Sequence, residues 1–267
     1  MTAIFANPSV GAAAAAPHGA DWAVVTGHSR GLGRALAAGL LAQGWRVLGL
    51  SRTGWAPPGS PSPAGLVEVA LDAADAHALA LWLASPAAQA AWHRPLAGAR
   101  RAWLLNNAGT VHPMGPPGAQ GATAIAQAVA LNLTAPLLLT DALVAATAAQ
   151  ADRRVVHVSS GAGRSAHAGW SIYGATKAAL DAHARAVALD AVPNLRLESL
   201  APGVVDTDMQ AQLRATPAQA LPGVARFVAL HRDGQLATPQ AVAQRLLAHL
   251  ASARFGQEPV TDLRQLG

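Results

Sequence analysis

The 267-residue chain has no cysteine, only one tyrosine and only one lysine. Without cysteine it can form neither a disulfide nor a thiolate nucleophile, a composition typical of a reducing compartment, and we expect a cytoplasmic protein. The ten histidines are scattered along the chain without an HExxH or comparable ligand spacing. We therefore expect no metal site.

Charged residues are also scarce, at 12% against 52% hydrophobic residues, which indicates a compact globular chain. Nearly all of the net charge of +5 comes from arginine, and adjacent arginines occur only at Arg100-Arg101 and Arg153-Arg154. We interpret these pairs as solvated ends of apolar strands, so nucleic-acid binding is not expected. No apolar run reaches the roughly 18 residues of a membrane span, and residues 1–20 lack the basic start of a signal peptide. We expect no membrane association and interpret residues 1–20 as a flexible tail.

Short apolar runs alternate with helical patterns along the rest of the chain. Strands are predicted at 22–26, 46–50, 66–71, 102–106, 155–159 and 195–200. Helices are predicted at 32–43, 74–91, 122–149 with an interruption near Pro136, and from Tyr173 to about Leu189. A Pro/Gly/Ser-rich stretch at 53–65 predicts a loop where a crossover helix would be expected. Alternating strands and helices predict an α/β fold, a Rossmann-type doubly wound parallel sheet, in a single domain over 21–267.

The only tyrosine, Tyr173, stands four residues before the only lysine, Lys177. On a helix both side chains lie on one face, so the ammonium can sit beside the phenol. A free phenol has a pKa of about 10, and a nearby cation favours the phenolate and lowers that pKa towards the working range. The alternative is an ordinary surface lysine beside a half-buried tyrosine.

A glycine-rich turn, Thr26-Gly27-His28-Ser29-Arg30-Gly31-Leu32-Gly33, joins the first strand to the first helix. Glycines at these positions permit a tight turn and let a pyrophosphate approach the helix N-terminus. The alternative is a glycine turn without a ligand. After the second strand, Ser51-Arg52 replaces the acidic residue that an NAD enzyme places against the ribose 2′-hydroxyl. Arg52, together with Arg30, would instead pair with a 2′-phosphate, so the sequence favours NADPH over NADH; the alternative is that both arginines are merely solvated.

These motifs, with four others, occur in the order and spacing of the short-chain dehydrogenase/reductase family, which the chain resembles over about 21–263. The other matching positions are Asn106-Asn107-Ala108-Gly109, Asn132, Ser160 and Pro202-Gly203. Ser160 precedes Tyr173 by thirteen residues, the usual interval in the family, which selects it over Ser159.

The resemblance implies four catalytic residues. Tyr173 would donate a proton to the substrate carbonyl oxygen, and Ser160 would polarise that carbonyl with a hydrogen bond. Lys177 would lower the Tyr173 pKa and hold the nicotinamide ribose, and Asn132 would anchor a water that relays protons to Lys177. These roles suit a hydride transfer, which builds charge on the carbonyl oxygen.

The resemblance also implies an NADPH/NADP+ site. Its expected residues are Gly27, Ser29, Arg30, Gly31, Leu32, Gly33, Ser51, Arg52, Asp72, Asn107, Ala108, Gly109, Tyr173, Lys177, Pro202, Gly203, Val205 and Thr207. Two of these positions have a simple alternative: Asp72 could cap the following helix, and Thr207 could be an ordinary loop hydroxyl.

Within the family, several stretches are similar to bacterial benzil reductases that form (S)-benzoin, which are relatives of sepiapterin reductase. Examples are Gly169-Trp170-Ser171 and residues 202–210. This similarity implies an NADPH-dependent carbonyl reductase acting on a diketone or aryl ketone such as benzil. The alternatives are a ketoreductase for a pterin or a sugar-derived ketone, and a non-catalytic NADP(H)-binding regulatory protein.

We expect a small-molecule carbonyl substrate in a space closed by a lid at about 204–235. The expected substrate-binding residues are Val111, His167, Trp170 and Met209. His167 is interpreted either as orienting a second carbonyl or as an ordinary loop residue. The family's usual packing implies a homodimer or homotetramer through the helix before the fifth strand and the Tyr173 helix, both rich in alanine and leucine.

Overall fold

Seven parallel strands form one sheet in the order β3-β2-β1-β4-β5-β6-β7. The computed structural model describes residues 19–57 and 60–266, so the tail expected at 1–20 lies almost entirely outside the described residues. The strands are β1 (Asp21–Thr26), β2 (Arg46–Ser51), β3 (Leu66–Ala70), β4 (Arg101–Asn106), β5 (Asp152–Val158), β6 (Leu195–Ala201) and β7 (Val260–Asp262). The strand order reverses between β1 and β4, where parallel α/β sheets bind their ligands. The predicted Rossmann-type sheet is confirmed.

Helices cover both faces of this sheet. They are α1 (Gly31–Ala42), α2 (Ala76–Leu83), α3 (Pro86–Ala88), α4 (Arg94–Ala97), α5 (Ala122–Val129), α6 (Ala135–Ala146), α7 (Ser171–Asp190), α8 (Asp208–Arg214), α9 (Val224–Arg232) and α10 (Pro239–Ala251). Two π-helical turns, Gln89–His93 and Ala130–Thr134, and a 3-10 turn, Gly161–Gly163, interrupt or precede them.

The strands are buried on both faces, as expected of a parallel sheet between helices. Along β1, Val25 packs into the cluster that contains α1 and α10, whereas Val24 packs into the cluster that contains α6 and part of α7. Both side chains are fully buried. The two clusters hold the strands rigidly, so the loops at their carboxyl ends have a fixed base.

Some elements differ from the sequence prediction. The helix expected at 74–91 breaks because Ser85 starts a new helix, its hydroxyl accepting from the Ala88 N–H at 3.2 Å with Pro86 in the first turn. The segment 204–235, which has little periodicity, contains α8 and α9. Helix α10 and strand β7 were not predicted.

The interpretation of Arg153 and Arg154 as solvated strand ends is wrong. Their exposed fractions are 3% and 8%. Arg153 donates to the Pro193 carbonyl, and Arg154 pairs with Asp152 at 2.9 Å and lies over the Trp103 ring at 5.5 Å. Backbone carbonyls, a carboxylate and an aromatic face together replace the water that a buried guanidinium loses.

The helical stretch Ala122–Ala146 also departs from expectation, because by length and composition it is apolar enough to cross a membrane. Inside the domain this stretch packs against α7, β4 and β5. It also carries Asn132, which is fully buried. Core helices satisfy the same test, so composition alone assigns this stretch no membrane role.

Candidate active site

Tyr173 and Lys177 lie one turn apart on α7, as the spacing predicts. The Lys177 Nζ is 5.7 Å from the centroid of the Tyr173 ring and donates to the Val158 carbonyl at 2.7 Å. The two residues are 8% and 5% exposed. A phenol and an ammonium therefore share one buried site at the carboxyl end of β5.

Burial shifts the pKa of both groups. It raises the pKa of Tyr173, and a hydrogen bond with Ser160 acts in the opposite direction. It lowers the pKa of Lys177 to about 8, while the Asp181 carboxylate acts to raise it. The expected lowering of the Tyr173 pKa by Lys177 is wrong for this structure, because desolvation outweighs the hydrogen bond and the ammonium is turned to the Val158 carbonyl. Tyr173 consequently keeps its proton at neutral pH and can serve as an acid.

The two adjacent serines after β5 have different partners. Ser160 is partly exposed, and its hydroxyl accepts from the Ala162 N–H at 3.2 Å at the start of the 3-10 turn. Ser159 is buried and donates to Asp181 Oδ1 at 3.1 Å. Of the two serines, it is Ser160 that acts to lower the pKa of Tyr173, whereas Ser159 is turned to Asp181.

Asn132 lies in the π-helical turn Ala130–Thr134, and its amide is held from both ends. Its Oδ1 accepts from the Thr110 N–H at 2.8 Å, and its Nδ2 donates to the Thr110 carbonyl at 2.8 Å and to Thr176 Oγ1 at 3.2 Å. Pro136 has no N–H, so the backbone carbonyl of Asn132 has no α-helical donor four residues on. Three hydrogen bonds thus position the Asn132 side chain, and its backbone carbonyl lacks the donor that a regular α-helix would supply.

Gly109 brings Asn132 and Lys177 together. A Cβ atom at Gly109 would lie 3.2 Å from Asn132 Oδ1 and 3.7 Å from Lys177 Nζ. The four expected catalytic residues therefore surround one location at the carboxyl edge of the sheet.

The glycine turn after β1 has the geometry of a dinucleotide site. Gly27 and Gly31 have φ values of +68° and +53°, and a Cβ at Gly33 would come within 2.1 Å of the Gly27 carbonyl oxygen. The first turn of α1 has no side-chain cap and no acidic residue. Its N–H groups are available to an anion, so the turn fits a pyrophosphate. Leu32 is buried in the core, so only its backbone faces this turn.

Thr26 joins the glycine turn to the Asn106–Gly109 segment. Its hydroxyl accepts from the N–H groups of Asn107 at 3.0 Å and Ala108 at 2.9 Å. The Asn107 side chain donates back to the Thr26 carbonyl at 3.0 Å. These bonds fix two of the expected cofactor segments to each other across the switch point of the sheet.

The arginines expected at the 2′-phosphate have separate surroundings. Arg52 is exposed beside Ser51, and Ser29 Oγ lies 3.0 Å from Thr53 Oγ1, so Ser29 and Arg52 belong to one corner of the turn. Arg30 instead donates to Asp208 at 3.1 Å, with both side chains exposed. The structure thus ties Arg30 to the start of α8.

Asp72 does not cap the helix that follows it. Its Oδ1 accepts from the Ala74 N–H at 3.0 Å in a local turn, whereas Asp75 caps α2 by accepting from Ala78 at 2.9 Å. Asp72 is exposed after β3, where its other oxygen faces no partner among the described residues. The helix-cap alternative is therefore wrong.

Residues 202–207 lie next to Gly31 of the glycine turn. Gly203 has a φ of +84°, Val205 forms a bridge with Ala237, and the Thr207 methyl would contact a Cβ at Gly31 at 3.3 Å. This segment therefore borders the glycine turn, as a nicotinamide-side loop requires.

Two groups near the site were missed in the sequence. His28 Nε2 lies 2.7 Å from Glu68 Oε1, and Glu68 also accepts from the Trp55 N–H at 2.6 Å and from Ser62. This pair anchors the loop that carries Arg52. Asp181, buried one turn after Lys177, accepts from Ser159, from Ser199 at 2.6 Å and from Arg164 at 2.9 Å. Asp181 follows Lys177 by four residues, and this spacing is the sequence feature from which it could have been identified.

The substrate side of Tyr173 is an apolar cluster. It contains three of the expected substrate-binding residues, and the segment 204–235 supplies much of the remainder. The members are Val111, Met114, Ala162, Trp170, Tyr173, Met209, Leu213, Leu221, Val224 and Phe227. His167 lies at its edge, exposed, with its ring centroid 5.6 Å from that of Trp170 and its Nε2 3.1 Å from Ser165 Oγ.

A cavity of about 420 Å³ lined by Met114 and Ala220 opens beside this cluster. A larger groove of about 870 Å³ lies between α1 and α10, on the far side of the glycine turn and away from Tyr173. The segment 204–235 adds apolar side chains to the cluster that contains Tyr173, so the larger open space lies elsewhere.

The sequence matches the family model of the short chain dehydrogenases over residues 21–218. It is 32% identical over 251 residues to a benzil reductase ((S)-benzoin forming) from Bacillus cereus, covering 90% of this chain and 97% of that protein. It is 33% identical to a sepiapterin reductase from Meriones unguiculatus, covering 87% of this chain and 92% of that protein. Among solved structures, a short-chain dehydrogenase/reductase from Burkholderia vietnamiensis is similar, with a TM-score of 0.65 and 45% identity over 94% of this chain and 100% of that one.

Proposed function

The chain belongs to the short-chain dehydrogenase family, and we propose that it is an NADPH-dependent carbonyl reductase acting on a diketone or aryl ketone such as benzil. The observation that carries the proposal is the buried pair of Tyr173 and Lys177, with the partly exposed Ser160, beside an apolar, aromatic cluster. Similarity to benzil reductases supports the substrate class. A sepiapterin reductase relative makes a pterin carbonyl the second candidate.

The proposed chemistry places the ketone oxygen between Tyr173 and Ser160. The bound nicotinamide supplies the hydride that reaches the carbonyl carbon. As negative charge builds on the oxygen, Ser160 donates a hydrogen bond and Tyr173 gives its proton. The raised pKa of Tyr173 keeps that proton in place until it is needed.

Lys177 has two proposed tasks in this scheme. Its ammonium stabilises the phenolate that remains after proton transfer, and it grips the nicotinamide ribose. Because its pKa is about 8, the charged form predominates at neutral pH and is lost as the pH rises through about 8. The backbone carbonyl of Asn132, which has no i+4 donor because Pro136 lacks an N–H, is the proposed anchor for the water that returns a proton to Lys177.

The proposed cofactor preference rests on charge. Arg52 stands where an acidic residue would select NADH, and Ser29 and Ser51 supply hydroxyls at the same corner. We also propose that segment 204–235 forms the substrate lid, because Leu213, Leu221 and Phe227 pack on the Tyr173 side of the site.

A homodimer or homotetramer is proposed because the stretch Ala122–Ala146 is strongly apolar while most of it is not fully buried in the single chain. A second copy of the same surface would cover such a face. Light scattering at micromolar concentration should give a mass of at least twice 27.0 kDa. A particle of monomer mass would reject this assembly.

The decisive experiment for the function is NADPH oxidation with a panel of diketones, monoketones and pterins. The enzyme should reduce benzil, and its rate should fall as the pH rises through about 8. Tyr173→Phe should lose nearly all reduction while still binding NADPH, whereas Lys177→Ala should lose both. A Tyr173→Phe variant as fast as the parent enzyme would show that the only tyrosine is structural.

A further inference from the structure

Trp170 carries a buried hydrogen-bond donor that the proposed chemistry does not use. The residue is 8% exposed, and its indole Nε1 has no hydrogen-bond partner among the described residues. Leaving such a donor buried and unpaired costs free energy, so a site that keeps one gains when a ligand supplies an acceptor.

The location of the indole relates this donor to the reaction. The Trp170 ring centroid is 5.3 Å from that of Tyr173 in an edge-on arrangement, and 5.5 Å from that of Phe227 in α9. Trp170 therefore lies between the proton donor and the segment that packs over it. A ketone held at Tyr173 would have its neighbouring carbon substituent against this indole.

The composition of the cluster narrows the choice of donors. Among the described residues of this cluster, the Trp170 Nε1 is the buried side-chain nitrogen or oxygen that has no hydrogen-bond partner. His167, the other candidate for a second carbonyl, is exposed and its Nε2 already lies 3.1 Å from Ser165 Oγ. Trp170 thus combines an unpartnered buried N–H with a ring next to that of Tyr173.

We propose that the Trp170 indole N–H binds a second acceptor oxygen next to the reacting carbonyl and so selects vicinal dicarbonyl substrates over simple ketones. This inference rests on the proposed carbonyl reductase function. It assigns Trp170 a hydrogen-bonding role in addition to that of an apolar wall. A substrate without the second oxygen would leave the N–H unpaired in the complex.

The test compares benzil with deoxybenzoin, in which a methylene replaces one of the two carbonyls. Trp170→Phe keeps an aromatic ring and removes the N–H. We expect kcat/KM for benzil to fall about tenfold or more, chiefly through KM, and kcat/KM for deoxybenzoin to change by less than about threefold. Calorimetric binding of both ketones to the parent and the variant, with NADP+ present, measures the same preference without turnover.

Two control variants are available in this chain. Trp103 also has a buried Nε1 without a partner among the described residues, but it lies in the core beside Trp45, so Trp103→Phe should leave the benzil to deoxybenzoin ratio unchanged. His167→Phe should leave it unchanged as well.

The outcomes separate this inference from the function on which it rests. Equal losses for both ketones in Trp170→Phe, or a selective loss in His167→Phe instead, would overturn the role of the indole N–H. A parent enzyme that reduces neither ketone rejects the proposed function. If that enzyme also binds benzil no more tightly than deoxybenzoin, the indole assignment is rejected too.

Discussion

Acidification from pH 7 to pH 5 should destabilise the protein through His157, a fully buried residue of β5. Its Nδ1 lies 3.1 Å from Asn106 Nδ2 and its Nε2 lies 3.0 Å from His183 Nδ1. Burial, with smaller contributions from His183 and Lys177, lowers the pKa of His157 to about 3. The folded protein therefore holds this imidazole neutral throughout the ordinary acid range.

The sign and size of the effect follow from proton linkage. An unfolded histidine has a pKa of about 6.5. Below that pH the unfolded chain therefore binds a proton at this histidine, whereas folded His157 stays neutral. The stability contribution is complete above about pH 6.5 and is lost as the pH falls towards the folded pKa of about 3. At pH 5, about 1.5 units below the unfolded pKa, the loss is roughly 2 kcal/mol.

Urea unfolding of the parent and of His157→Gln at both pH values tests this. The parent should lose about 2 kcal/mol more than His157→Gln on going from pH 7 to pH 5, because the titrating groups that do not contact residue 157 cancel in the difference. The exposed His77 offers a matched control, and His77→Gln should keep the parent's pH dependence. An identical pH dependence in the parent and His157→Gln would refute the argument.

Four further substitutions have defined outcomes. Arg52→Ala should reduce the preference for NADPH over NADH by roughly 10- to 150-fold in kcat/KM, which corresponds to the loss of one charge-assisted hydrogen bond. An unchanged ratio would show that Arg52 does not bind the 2′-phosphate. Gly33→Ala should abolish cofactor binding by calorimetry, since its Cβ would meet the Gly27 oxygen at 2.1 Å, whereas Gly223→Ala, with open space, should bind normally. Asp181→Asn should cost about 3 kcal/mol in urea unfolding and shift the alkaline limit of activity to lower pH, because the carboxylate acts to raise the Lys177 pKa. Pro136→Ala should raise the unfolding free energy by about 1 kcal/mol while lowering kcat, because the backbone N–H gained at this position can bond to the Asn132 carbonyl. A kcat equal to that of the parent would show that the Asn132 carbonyl has no role in the proton relay.

The fold was predictable because buried parallel strands and their helices leave a simple pattern of apolar runs. The Tyr173–Lys177 pair was predictable for a similar reason, since one helical turn fixes their relative position. The burial of Arg153 and Arg154 was not predictable, because it depends on carbonyls of Pro193 and Leu250 that are distant in sequence. Strand β7 was also missed, since three residues added at the edge of a sheet give too short a pattern.

The direction of the Tyr173 pKa shift shows a further limit of sequence reasoning. Spacing says that a cation can reach the phenol, but the shift depends on how much water is removed and on where the ammonium points. Here the Lys177 Nζ donates to the Val158 carbonyl, and desolvation prevails. A residue pattern contains neither quantity, so it predicted which groups meet but not the resulting pKa.

The stretch Ala122–Ala146 shows how a local defect in secondary structure contributes to the site. A proline inside a helix removes one hydrogen bond and is unfavourable, and the π-helical turn Ala130–Thr134 lies just before Pro136. The same defect leaves the Asn132 carbonyl without its helical donor, while three hydrogen bonds hold the Asn132 side chain in place. A regular helix would be more stable but would use that carbonyl internally. The stability lost at Pro136 therefore leaves a positioned acceptor on the same side of the sheet as Lys177.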